Sequence, residues 1–232
     1  MRTAAAALSL LLAALCPTVP TLNAQTPPQQ REIAQYRGLL AAAAKGDLPA
    51  VKAEIKAGTD LNARDSKGRT ALMLAGYREH HNVAEALIRA GADLNAVEHQ
   101  AYDLLTISSV KNDLKMVNLA IAAGANTKQV TSPYEGTALI AAAHLGHVDV
   151  VNALIAGGAP LDHVNNLNWT ALIEAIVLGD GGENHTSIVR ALVSAGADIN
   201  LPDGNGVSPL GLATRRGYVK MVEILKAAGA KP

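Results

Sequence analysis

The chain has 232 residues, 49% of them hydrophobic but only 3% aromatic, with no Phe and a single Cys. Twenty basic side chains balance twenty acidic ones and no Lys/Arg stripe stands out, which argues against nucleic acid as a partner. A core without Phe must be built from Ala, Leu, Ile and Val, a composition suited to closely packed helices.

The first 24 residues read as a secretory signal peptide. Arg2 precedes an apolar run over residues 4–16, Pro17 and Pro20 follow, and Ala24 offers the small residue needed before a cut, so cleavage is expected after Ala24. The run is too short to span a membrane comfortably, and no membrane span is expected. Cys16 invites a second reading as a lipoprotein anchor. Leu15 argues against it, because such sites favour a small residue before the cysteine, so lipid anchoring is the lesser reading. The signal style and the Ala-rich composition place the mature protein in a Gram-negative periplasm, or secreted. Once Cys16 is removed no disulfide can form, and packing alone must hold the fold. Residues 25–34 begin QTPPQQ and read as a Pro/Gln-rich disordered lead-in or tether. The folded domain is expected over 35–232.

Within that domain one pattern recurs, clearest over residues 136–165. A Thr opens a short apolar helix (Leu139, Ala142), Gly146-His147 breaks it, and Val150, Val151, Leu154 and Ile155 recur at helical spacing before Gly158. The helix-ending glycine returns as Gly58, Gly91, Gly124, Gly158, Gly196 and Gly229, at spacings of 33, 33, 34, 38 and 33. The opening residue returns as Arg37, Thr70, Asp103, Thr137, Thr170 and Ser208, and all but Arg37 can cap a helix start. Six units of two short helices follow, none able to bury its own apolar faces, so they must stack. Copy one (37–65) caps the array. Copy three (99–131) loses both the T-A-L start and the Asp-Leu-Asn ending. Copy five (166–203) carries five extra residues within 179–185, expected as a solvent-facing loop. Copy six (204–232) presents Lys220, Glu223 and Lys226 as an outer polar cap.

The motifs T-A-L-M-L-A (70–75), T-A-L-I-A-A (137–142), T-A-L-I-E-A (170–175) and S-P-L-G-L-A (208–213), with G-A-D-L-N-like endings, resemble the ankyrin-repeat family. The resemblance covers the chain from about Gln35 onward. It implies an all-α repeat solenoid of six stacked ankyrin-type helix-turn-helix units with β-hairpin or loop connections, and a monomeric protein that binds another protein. Where the family usually has His after T-P-L, this chain has Met73, Thr106, Ile140, Ile173 and Gly211. Fewer hydrogen bonds between repeats are therefore expected, with apolar packing carrying more of the stability.

The family's ligand contacts come from positions one and three before the opening Thr and seven and eight after it. Carried onto this chain, those positions hold Tyr77, Arg78, Tyr102, Lys111, Tyr134, His144, Leu145, Leu167, Trp169, Val177 and Leu178. Most of the aromatics are expected on this one exposed concave face, as contact material for a partner protein. No Cys nucleophile and no Gly-x-Ser-x-Gly, His-Glu-x-x-His or phosphate-cradling motif is present in the expected mature chain, so no catalysis and no cofactor are expected. His144 and His147 lack a third metal ligand at suitable spacing, and no metal is expected. The acidic loop at 180–183 lacks the alternating oxygens of a calcium site. The resulting reading is a non-catalytic periplasmic scaffold that supports or protects a partner. An immunity-type toxin inhibitor is one alternative, and a metal-dependent hydrolase using His144, His147 and the copy-five loop is another.

Overall fold

The computed structural model describes residues 25–231; the signal-like segment and Cys16 lie outside them. A short helix α1 (Gln30–Gln35) leads into six helix pairs. These are α2 (Gly38–Lys45) with α3 (Leu48–Lys56), α4 (Ala71–Tyr77) with α5 (His81–Arg89), α6 (Leu104–Val110) with α7 (Leu114–Ala122), α8 (Ala138–Leu145) with α9 (Val148–Ala156), α10 (Ala171–Val177) with α11 (Glu183–Ser194), and α12 (Pro209–Arg216) with α13 (Val219–Ala227). First helices stack on first helices and second on second throughout, as in a repeat solenoid. The connections are turns closed in two places by single antiparallel bridges, Arg64 with Thr70 and Thr131 with Gly136.

The caps form as the sequence predicts. Thr70, Asp103, Thr137, Thr170 and Ser208 accept from the backbone N–H three residues on, at 2.7–3.4 Å, whereas Arg37 makes no such bond. At the far ends the six repeat glycines take positive φ, the left-handed conformation that stops the second helix. One leucine per repeat (Leu39, Leu72, Leu105, Leu139, Leu172, Leu210) is buried at the same register, and these residues form one continuous core with the apolar faces of the second helices.

Hydrogen bonding between repeats is richer than expected. The final Asx of the G-A-D-L-N endings accepts from a backbone N–H of the next repeat: Asn62 from Asp93, Asn95 from Asn126, Asp162 from Asp198 and Asn200 from Lys231, at 2.8–2.9 Å. One rung is missing, and it is missing from both sides. Lys128 stands where the acceptor should be, and Pro160, which has no N–H, stands where the donor should be. The Thr127 hydroxyl instead donates to the Gly157 carbonyl at 3.0 Å. A second set of rungs starts from the turn between the helices of each pair. His147 Nδ1 donates to the Ser109 carbonyl at 2.8 Å and His185 Nε2 to the His144 carbonyl at 3.0 Å. The Tyr218 hydroxyl donates to the Gly179 carbonyl at 2.9 Å, and His80 pairs with the Ala44 backbone. These histidines take over the cross-repeat role left open after T-A-L.

Two other expectations change. The lead-in does not hang free: Gln25 and Pro28 are buried, the Thr26 N–H donates to Gln100 Oε1 at 3.4 Å, and Arg69 donates to the Thr26 carbonyl at 3.3 Å. Nor is the copy-five insertion wholly solvated. It lengthens α11 to 12 residues against nine in the other second helices, buries Gly179, and brings Glu183 within 3.1 Å of Lys220.

The N-terminal end is tied by a buried charge network. Arg69, 1% exposed, reaches Asp65 at 2.7 Å, the Tyr36 hydroxyl at 2.8 Å and Glu32 at 3.3 Å, while Tyr36 donates to Asp65 at 2.6 Å. Burial alone would push the Asp65 carboxyl up. The bonds it accepts from Tyr36, the Arg69 side chain and the Arg69 and Lys67 backbone outweigh this and hold it below the ordinary range. Burial and donation to Asp65 push the Tyr36 phenol up.

Restoring the missing rung with Lys128→Asn plus Pro160→Asp should stabilise the protein by about 0.5–1.5 kcal/mol beyond the sum of the single changes, measured as a double-mutant cycle by chemical denaturation. Asp65→Asn should cost about 3 kcal/mol at neutral pH, because the buried Arg69 loses its nearer countercharge and keeps only Glu32 at 3.3 Å. The folded Asp65 binds its proton more weakly than the unfolded residue, so its contribution is complete above about pH 4 and is lost as the pH falls below that. Wild type should therefore lose stability in acid more steeply than Asp65→Asn, read from denaturation midpoints at a series of pH values.

Candidate functional site

The first helices and hairpins of copies three to five enclose a cavity of about 240 Å³ that opens to solvent. Its walls come from Thr106 and Val110 of α6, from Ile140, Ala141, His144 and Leu145 of α8, from Glu174 of α10 and from Leu178 just beyond it. Three hairpins complete it: Tyr102, then Ser132, Tyr134 and Gly136, then Asn165 and Leu167. Gln25 of the lead-in closes one side.

Of the residues expected on the binding face, Tyr102, Tyr134, His144, Leu145, Leu167 and Leu178 meet in this cavity. Leu145 is 41% exposed, a large apolar side chain left in water. The other expected residues do not line it. Tyr77 is buried, in a cluster with Met73, Ala96, Tyr102 and Ile107, and Val177 is buried in α10. The expected exposure fails for Tyr77 and Val177 because the neighbouring repeat covers the seventh position after the cap there, whereas His144, at the same register, is left lining the cavity. Tyr102 is also 4% exposed, although its ring forms part of the cavity wall. Burial, then the neighbouring Tyr134 and Glu98, push its phenol above the ordinary value. Arg78 is exposed, Lys111 pairs with Glu79 at 2.8 Å, and Trp169 is half-buried away from the cavity lining.

The histidines part company. His147 turns back to the Ser109 carbonyl, and His144 Nδ1 lies 3.2 Å from Glu174 Oε2. Among the described residues no three metal-capable side chains gather, so the residues of the hydrolase reading do not converge on one point.

Sequence reading missed Glu174. It is 3% exposed, and its register holds apolar residues in every other copy: Ala41, Leu74, Ile107, Ala141 and Leu212. The signal was visible as the acid in T-A-L-I-E-A. Oε1 accepts from Asn165 Nδ2 at 2.9 Å, while Oε2 makes no hydrogen bond, with His144 Nδ1 3.2 Å away.

The hairpins around the cavity are also strained. Two residues before the caps of copies two to six the backbone turns left-handed, and copies two and six place Gly68 and Gly206 there. The three copies that frame the cavity place Ala101, Glu135 and Asn168, with φ of 63°, 54° and 60°. A side chain in that conformation costs roughly 1 kcal/mol, and such strain gathers where function holds it. Ala101→Gly should accordingly raise stability by up to about 1 kcal/mol in chemical denaturation.

Comparison with known proteins agrees with this architecture. The family model described as ankyrin repeats (3 copies) matches residues 11–98, 39–127 and 104–203. The ankyrin repeat protein YahD of Escherichia coli K12 is 37% identical over 192 residues, spanning 82% of this chain and 95% of its own. An ankyrin repeat domain from Acinetobacter baumannii AYE superposes with a TM-score of 0.80 at 44% identity, covering 83% of this chain and 98% of the other. A chain in the complex of the predatory endopeptidase Bd0816 of Bdellovibrio bacteriovorus with the immunity protein Bd3460 shares the fold, with a TM-score of 0.69 at 24% identity, covering 83% and 98%. With registered caps, stacked helix pairs and a family match over most of its length, this chain belongs to the ankyrin-repeat family.

Proposed function

We propose that the protein is a non-catalytic protein-binding scaffold that works in the bacterial periplasm and engages one partner through the first helices and hairpins of copies three to five. The observation that carries this reading is the open apolar cavity, with Leu145 at its edge and strained hairpins around it. Ankyrin repeats mediate protein–protein interaction, which supports the class of function. The location rests on the signal-like residues 1–24. Interfaces of this kind concentrate their energy in a few central aromatic and apolar anchors ringed by polar residues, and Tyr134 and Leu145 suit that part.

The full chain, expressed with a C-terminal tag and exported, should yield a mature species beginning at Gln25 by mass spectrometry; an acylated Cys16 at its start would overturn the free periplasmic form. Used as bait in periplasmic extract, wild type should retain a partner that Leu145→Glu loses. Tyr134→Ala should weaken that partner by about 2 kcal/mol. Val219→Glu, on the exposed face of α13, serves as the control and should bind normally. A partner indifferent to Leu145 and Tyr134 but lost with Val219 would contradict the assignment of the face.

A further inference from the structure

We infer that the cavity recognises a basic side chain, a lysine or arginine presented by the partner protein, and that Glu174 reads its charge. The inference rests on the protein-binding reading above and adds the chemistry of what enters.

Glu174 is the one buried acid of the cavity, and nothing in the packing of the array calls for it. Five other copies place Ala, Leu or Ile at its register, so the stack is satisfied there by an apolar side chain. Desolvating a carboxylate is costly unless its oxygens are paired. Only half of that requirement is met from within: Asn165 holds Oε1 at 2.9 Å, and Oε2, with His144 Nδ1 3.2 Å away, is left without a hydrogen bond. Asn165 is itself fixed, because its Oδ1 accepts from the Leu167 and Trp169 N–H groups at 3.0 Å, so the carboxylate is oriented rather than free to turn.

The cavity around Glu174 is lined by Tyr102, Tyr134, His144, Leu145, Leu167 and Leu178. A ligand matching this arrangement has an alkyl stem to lie along apolar walls and a donor-rich cationic head to meet the oxygen. That describes lysine and arginine, whose stems bury readily and whose heads donate in several directions. Aromatic rings on the path favour a cation over a neutral amide. An anionic or purely apolar ligand would leave Oε2 repelled or unpaired. The cavity is open and continuous with the hairpin surface proposed to dock a protein, which suits a side chain reaching in from a bound partner.

The test is a nuclear magnetic resonance titration of the full chain with blocked pentapeptides, Gly-Gly-X-Gly-Gly, where X is lysine, arginine or norleucine, and with butylamine. The lysine and arginine peptides should shift the amides of Ala141, Leu145 and Leu178, and norleucine should bind at least tenfold more weakly. Glu174→Gln should cut lysine-peptide affinity at least tenfold. Glu174→Leu, which copies two and six already carry at this register, keeps the fold and should abolish the preference for lysine over norleucine. Equal binding of norleucine, unchanged binding by Glu174→Gln, or no binding by any peptide would overturn the inference. Butylamine binding as tightly as the lysine peptide would also overturn it, by making the occupant a free amine. A partner protein that Leu145→Glu loses but Glu174→Gln retains would sink the basic side chain while leaving the protein-binding face intact.

Discussion

Everything in this molecule depends on the fact that a pair of short helices cannot bury its own apolar faces. Helices of seven to twelve residues are too short to be stable alone, and each pair exposes Leu, Val and Ile on both flanks until a neighbour covers them. Stacking solves both problems at once and fixes the register of the whole chain. The regular burial of Leu72, Leu105, Leu139, Leu172 and Leu210 is the direct result. So is the matched loss at Lys128 and Pro160, where acceptor and donor disappear together and no N–H is left unpaired.

The array was legible in the sequence because its punctuation is local. Thr70, Thr137, Thr170 and Ser208 cap through atoms three residues away, and the closing glycines need only their own backbone conformation. What depended on contact between repeats was harder to see. His80, His147 and His185 stand at the turn between helices with no local signal of a long-range role, yet they hydrogen-bond the preceding repeat across 36 to 41 residues of chain. Arg69 carries no local sequence signal, but it sits 1% exposed at the centre of a network that also fastens the lead-in. The lead-in itself has no helical period until Gln30, and its docking relies on partners at Arg69 and Gln100.

The candidate site was half legible for the same reason. Counting positions from each cap picks out Tyr102, Tyr134, His144, Leu145, Leu167 and Leu178, which the fold gathers into one cavity, since a repeat array converts equal register into spatial adjacency. It failed at Tyr77 and Val177, because register gives the face of a helix but not whether the next repeat covers it. Glu174 required a comparison across copies, asking where one copy breaks a rule that the others keep. Ala101, Glu135 and Asn168 break a rule at the same three repeats, and the coincidence of strain, buried acid and open apolar wall singles out this segment from an otherwise regular stack.

The central claim is that function resides on the first-helix side of copies three to five. Hydrogen exchange of the chain with and without its captured partner tests it most directly, since protection reports contact residue by residue. The account predicts slowed exchange in α6, α8 and α10 and in the hairpins around Tyr102, Tyr134 and Leu167, with the second helices α7, α9 and α11 unchanged. Protection confined to those second helices, or to the terminal copies, would contradict it.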